Sequence, residues 1–561
     1  MKSLDTKDYI VFFIYFIIVA GYGYWVYKRK KTAQTNTKDY FLAEGSLTWW
    51  AIGASLIASN ISAEQFIGMS GNGFKMGLAI STYEWMAALT LVIVATFFIP
   101  VYLKNKIYTM PQFLNQRYNS TVAMVMAVFW LLLYVIVNLT SILYLGALAV
   151  SSISGLNLTF CMLFLAVFAI IITLGGMKVI GYTDVIQVFF LILGGLITTY
   201  LALELVAKSY GESGIVSGFK LMTSHADEHF HMIFKRDNEN YPSLPGLTVL
   251  IGGMWIVNLN YWGCNQYITQ RALGADLKTA RGGILFAAFL KLLMPVIVVL
   301  PGIAAYVLYS KGNFHSEMMV NGELVQDKAY PVLMNLLPPG LKGVAFAALT
   351  AAVVASLAGK ANSISTIFTL DIYKKKIAPE ADERRMVWIG RAVVIIAMLL
   401  GVVIAPFMGI DKKGGFEFIQ EYTGFVSPGI LAMFLLGFFW KKATSGAAMF
   451  ATIGGFALSV IFKVLPKFMD LAFLQPYGFA TLVKQKDGVT SLYEIPFLDR
   501  MGFVFVICVV AMYFISVISN RKGVQPHGLE VDKNMFKLSP SFTVGALIIC
   551  GLLTALYTIY W

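Results

Sequence analysis

Apolar residues run through this chain in long blocks, and the polar residues that interrupt them cluster at a few positions. Crossing a bilayer takes about 20 apolar residues wound as a helix. Fourteen blocks meet that length: 8–27, 49–72, 78–103, 121–150, 157–175, 182–206, 246–270, 282–310, 341–372, 387–407, 416–440, 443–464, 501–519 and 540–560. The pattern predicts an all-α polytopic membrane protein, with one transmembrane domain accounting for residues 1–561. Within it, 49–206 holds five helices and 246–440 another five. A leading helix at 8–27 precedes them, and three helices over 443–560 follow. Five is odd, so the second set enters from the opposite side, which is the arithmetic of an inverted repeat. The first helix of each set should then be discontinuous.

Both of those helices carry polar runs that fit an interruption. One reads Ala58-Ser59-Asn60-Ile61-Ser62-Ala63-Glu64-Gln65, the other Asn258-Leu259-Asn260-Tyr261-Trp262-Gly263-Cys264-Asn265-Gln266. Unwound backbone is tolerated at membrane depth only where it lines a cavity or is buried in protein. Two such segments at matching positions point at a central site.

Ionisable and amide side chains inside the blocks sharpen that expectation, because each is costly in hydrocarbon and usually marks function. They are Glu64, Gln65, Glu84, Asp184, Lys291, Lys360, Gln420 and Glu421. Asn60, Gln65, Asn258 and Gln420 beside one carboxylate, Glu84, and one ammonium, Lys291, suit a polyhydroxylated neutral ligand, since each hydroxyl both donates and accepts. A purely structural ion pair is the other reading of Glu84 and Lys291. Tyr261 is either a stacking platform for a sugar ring or a core aromatic. Glu421 is either part of the site or a helix–helix hydrogen bond, and Arg391 reads as a snorkelling residue near a helix end.

Composition sets the class. The chain is 58% hydrophobic and 13% charged, with a mean hydropathy of +0.72, too little polar surface to clothe a soluble core of this size. Its formal charge of +13 is spread between apolar blocks, which implies a basic membrane face rather than a nucleic-acid partner. The run Lys28-Arg29-Lys30-Lys31 directly after the first helix places that end in the cytoplasm and both termini outside. The first apolar block is followed by no small-residue cleavage site and is expected to be retained. Four cysteines, all in or beside apolar blocks, predict no structural disulfide.

All five histidines, 225, 229, 231, 315 and 527, fall in loops. Catalysis by histidine at membrane depth therefore has no residues, and an enzyme is not expected. A sugar sensor would need a signalling domain, for which no stretch of chain remains. The expectation is a plasma-membrane secondary transporter of a small polar solute, with the lipid bilayer as its surroundings, no cofactor and no obligate protein partner.

At these residues the chain resembles a known family. The runs ASLIASNISAEQFIGMSGNG, STYEWM, NYWGCNQY, FAAFLKL and FIQEYTGFVSPGILAMFLLGFFWKK are similar to the sodium/solute symporter family, most of all to its bacterial sodium/galactose branch. The resemblance implies a LeuT-type fold, alternating access, and a hexose held between the broken helices. It places Asn60, Gln65, Glu84, Asn258, Lys291 and Gln420 on sugar hydroxyls and Tyr261 beneath the ring, with Trp262 beside it. Met69, Tyr83 and Phe416 would close the outer gate. Ala87 departs from the pattern, standing where the branch has a galactose-contacting serine.

The implied ion site departs further. The resemblance puts sodium between the carbonyls of Ala58 and Ile61, the carbonyl of Ala352 and two adjacent serine hydroxyls, but here those two positions are Ala355 and Ser356. A methyl cannot replace an oxygen for a hard cation. Lys360 follows Ser356 by four residues, on the same helical face, its side chain tilted back toward the ion position. The expectation is an ammonium that takes the ion's place, giving sodium-independent or proton-coupled transport. The alternatives are pairing of Lys360 with Asp184 in a wet inner cavity, or an ordinary sodium symporter with a weakened shell.

Overall fold

The computed structural model describes residues 4–29, 47–175, 177–320, 322–335, 337–407, 415–484 and 490–561. Of the basic run after the first helix, Lys30 and Lys31 lie outside them. Among the described residues, ten helices are long and apolar enough to cross a membrane, and two shorter apolar helices, Leu158–Thr173 and Ser427–Phe439, accompany them. The chain divides into two compact units, one built from Met1–Glu84, Trp130–His231 and Gln270–Ile419, the other from Trp85–Phe129, Met232–Thr269 and Gln420–Trp561.

In the first unit the Leu341–Thr366 helix is the axis. Its sequence is rich in Ala, Ser and Gly, and nearly every residue is buried, because small side chains let neighbouring backbones come close. It packs on Thr6–Arg29, Trp49–Asn60, Leu158–Thr173 and Met177–Ser209. Asp8, at the start of the first block, is buried. Its Oδ1 accepts from the N–H groups of Gly340 (2.7 Å) and Gly343 (2.8 Å), which satisfies orphan donors at the start of that axial helix.

The first expected interruption is present. The Trp49–Asn60 helix stops at Ile61, whose backbone is extended (φ −81°, ψ 107°), and the chain winds again as a wide-turned Glu64–Met69 segment running into Ser70–Met76. The wide i→i+5 winding recurs at Leu133–Leu139, and such segments often sit at functional positions. A 34-residue helix, Leu277–Ser310, runs beside the broken one. Before the break, a Cβ on Gly53 would stand 2.6 Å from the carbonyl oxygen of Gly283. After it, a Cβ on Gly302 would stand 2.1 Å from the carbonyl oxygen of Ser70. Only glycine permits either approach.

In the second unit the Gly253–Gly263, Ser427–Phe439 and Phe497–Arg521 helices pack together. The second expected interruption falls between Gly253–Gly263 and Gln266–Leu273. A third was not expected: the single block 416–440 is two helices, Gly415–Gly424 and Ser427–Phe439. Pro428 sits in the first turn of the second and has no N–H to bond the carbonyl four residues back. The last carbonyls of Ser427–Phe439 are gathered by one fully buried side chain. Arg117 donates to the carbonyl oxygens of Gly437 (2.7 Å), Trp440 (2.8 Å), Ala443 (3.1 Å) and His527 (2.8 Å). Glu421 is ion-paired with Arg500 (3.1 Å) and Lys463 (2.7 Å), so it is anchored inside this unit.

Candidate functional site

The break in the first unit exposes backbone and brings charge to it. Ser62-Ala-Glu-Gln65 forms a reciprocal cap at the start of the second segment. The Ser62 N–H donates to Gln65 Oε1 (3.0 Å), and the Glu64 N–H donates to Ser62 Oγ (3.1 Å), the pattern of a capping box. Gln65 is therefore buried and its oxygen is occupied, leaving the amide nitrogen as the end it can offer to a ligand.

Asn60, at the end of the first segment, meets the charged pair expected from sequence. Lys291, midway along Leu277–Ser310, donates through Nζ to Asn60 Oδ1 and to Glu84 Oε2. The Lys291 and Glu84 side chains are 1% and 3% exposed. Glu84 enters from the first turn of Thr82–Ile93, where a carboxylate is favoured by the helix dipole. Three polar groups from three helices thus converge in an apolar surround.

Of the gate residues, Tyr83 and Phe416 meet edge to face with ring centroids 5.0 Å apart. Phe416 also lies against Gly68, and Met69 is buried one residue further along.

The implied ion position has a definite geometry. Ser356 Oγ lies 3.3 Å from the Ala58 carbonyl, 3.0 Å from Ser59 and 3.4 Å from Ile61. One hydroxyl proton cannot serve three acceptors, so the cluster is rich in oxygen, which suits a hard cation. Ala352 and Ala355 are buried beside it on the same helix and bring only methyl groups as side chains. Lys360 Nζ donates to Asn138 Oδ1 (2.6 Å), and the carboxylate whose charge acts on it is Glu64.

The alternative pairing of Lys360 with Asp184 gives way to another arrangement. Asp184 Oδ2 accepts from Ser55 Oγ (2.5 Å) and lies 3.9 Å from Arg271 Nη2, while Arg271 Nε donates to Ser55 Oγ (2.8 Å). Asp184 and Arg271 are both 1% exposed, and a buried carboxylate is held by whichever cation can reach it. Sequence reasoning missed Arg271 and Asn138. Arg271 lies just past the apolar block that ends at 270, and Asn138 is a lone amide inside a long apolar block.

The second unit carries the remaining candidates. Asn258 spends its amide on the Met254 carbonyl one turn back (3.1 Å). Tyr261 accepts from the hydroxyl of Tyr267, and its ring stands edge-on to Trp262 at 5.1 Å. Gln420 is half-buried in the last described turns of Gly415–Gly424.

Residues 40–455 match the family model described as "Sodium:solute symporter family". The chain belongs to the sodium:solute symporter family. It is a multi-pass membrane symporter of solutes and not an enzyme. Among relatives of this symporter, a protein of Vibrio parahaemolyticus named sodium/glucose cotransporter is 46% identical, covering 100% of this chain and 99% of its own. The human protein named sodium/myo-inositol cotransporter 2 is 31% identical over 85% of this chain and 72% of its own length. Among solved structures, a substrate-bound, outward-open Na+-coupled sialic acid symporter superposes with a TM-score of 0.74 at 21% identity. It covers 92% of this chain and 98% of that one, and the likeness gives this symporter a LeuT-like transporter fold.

Proposed function

We propose that this symporter carries a hexose by alternating access, with Asn60, Gln65, Glu84 and Lys291 on sugar hydroxyls. The observation that carries the reading is the buried meeting of Lys291 with Asn60 and Glu84 beside an interrupted helix. An ammonium, a carboxylate and an amide together offer donors and acceptors in the mixture a polyol needs. The 46% identical relative named for glucose supports the choice of sugar. Asn258, Tyr261, Trp262 and Gln420, carried by the second unit, keep their expected roles in this proposal, as do Met69, Tyr83 and Phe416. The fourteen crossings and the five-plus-five repeat belong to it as well, supported by the two interrupted helices.

The coupling follows from the ion position. With Ala355 in place of a hydroxyl, Ser356 is the side-chain oxygen left there, and Lys360 holds a positive charge one turn further along. Its action on Glu64, at the start of the segment after the break, suits an ammonium that braces the broken helix in place of sodium. Ordinary sodium coupling is the second reading, favoured by the three carbonyls around Ser356 Oγ. Uptake of labelled glucose and galactose into proteoliposomes decides between them, with a sodium gradient, a proton gradient or neither. The expected result is saturable hexose uptake that sodium leaves largely unchanged, and loss of uptake in Lys360→Ala. Strong sodium-driven accumulation by the unmodified protein selects the second reading. Absence of hexose uptake under every gradient removes the hexose.

We also propose that both termini face outside, on the motive of Lys28 at the end of the first helix. In a Cys550→Ser background, which removes the exposed native thiol, an impermeant thiol reagent applied to intact cells should label Lys7→Cys and spare Lys522→Cys. The reverse pattern inverts the orientation.

A further inference from the structure

Away from the site, four helices of the first unit enclose a groove of about 390 Å³. They are Thr6–Arg29, Leu158–Thr173, Met177–Ser209 and Glu383–Ile404. Its walls are apolar, with Val19, Ala20, Phe168, Ile171 and Leu174 among them, and among the described residues Arg391 is the one charged residue in the lining.

The groove opens onto apolar stripes that the protein leaves uncovered. Ile10, Phe13, Ile14 and Ile17 are exposed along one helix, and Phe160, Leu163, Val167 and Ile171 along the next. Each set repeats every three or four residues, so each is a single helix face. Facing hydrocarbon, such stripes need no covering by protein.

Polar groups gather at one end. Arg391 lies about 12 Å along its helix from Glu383, and Tyr24 about 8 Å before Arg29, at 1.5 Å per residue. Tyr24, Trp25 and Trp388 are exposed there, in the manner of interfacial aromatics, and Lys28 Nζ lies 5.9 Å from the Tyr24 ring centroid. The guanidinium therefore sits where headgroups meet acyl chains, at the head of an apolar slot.

We propose that this groove is a binding site for an anionic glycerophospholipid. Its phosphate pairs with Arg391, and one acyl chain lies along Val19, Ala20, Phe168 and Ile171. The planar fork of arginine matches phosphate oxygens two at a time, Lys28 adds a second positive charge nearby, and the slot continues into the lipid-facing stripes. A lipid so held links the leading helix to Glu383–Ile404.

The test uses the full-length purified protein in detergent, with its Tm and its retained lipid (by native mass spectrometry) measured after adding phosphatidylglycerol, phosphatidylcholine of the same chains, or inorganic phosphate. Phosphatidylglycerol should raise the Tm by several degrees and stay bound, phosphatidylcholine should do less, and inorganic phosphate nothing. Arg391→Gln should erase the excess of phosphatidylglycerol over phosphatidylcholine. Ala20→Trp, which fills the slot from an exposed position and leaves the arginine in place, should erase the response to both lipids. Equal responses to the two lipids in the unmodified protein overturn the site. So does an excess that survives both substitutions, or inorganic phosphate matching phosphatidylglycerol. Should Arg391→Gln not fold, the headgroup series and Ala20→Trp decide alone.

Discussion

On the proposed hexose reading, Lys291→Ala and Glu84→Ala will each weaken hexose binding by about tenfold or more, and each will also cost stability. Lys291 and Glu84 are almost wholly buried and paired with one another. Removing one partner of such a pair strands the other charge and destabilises by about 3–5 kcal/mol. Hydrogen bonds from charged groups to sugar hydroxyls contribute about 1.5–3 kcal/mol each, so binding falls with them. The two effects separate in the double variant Lys291→Met with Glu84→Gln, which removes both charges at similar volume. Its Tm should return most of the way to that of the unmodified protein while hexose binding by calorimetry stays weakened. A double variant that binds hexose normally would reduce the pair to a structural ion pair, the alternative left open by the sequence.

Arg117→Ala will be the costliest single change outside the site. The side chain is fully buried and reaches four carbonyl oxygens at the end of Ser427–Phe439 and beyond it. Alanine leaves those acceptors without a donor, and each bond to a charged group contributes about 1.5–3 kcal/mol, less than additively. The expected loss is on the order of 3 kcal/mol or more, read as a large fall in Tm. Arg117→Lys should recover part of it, because an ammonium has three donors but no planar fork. An unchanged Tm in Arg117→Ala would mean that water satisfies those carbonyls.

The difference between these two sites explains what could be read from the chain alone. Lys291 and Glu84 were visible because a charge inside an apolar block contradicts its surroundings, and the interruptions at 58–65 and 258–266 were visible for the same reason. The family resemblance drew attention to Asn60, which meets Lys291, and to Ser356, which lies among the carbonyls of the break. Arg117 and Arg271 were invisible because they sit outside the apolar blocks, and an arginine there looks the same whether it faces water or a set of orphaned carbonyls. Which carbonyls are left over is settled only when helices such as Gly415–Gly424 and Ser427–Phe439 stop short. Asp184 was recognised as costly and its pairing with Lys360 was only one alternative, since nothing in the spacing shows that Arg271 is the cation within reach.

The glycine contacts at Gly53 and Gly302 bear on how such a molecule can move. They fasten the halves of the interrupted helix, on either side of Ile61, to one long rod, Leu277–Ser310. The rod works as a splint across a fracture. It keeps the gap at Ala58–Ile61 from closing into ordinary helix, so the oxygens there stay turned toward Ser356. The two halves are thus held against the same neighbour, whose own backbone ladder is interrupted at Pro295 and Pro301, between the two contacts.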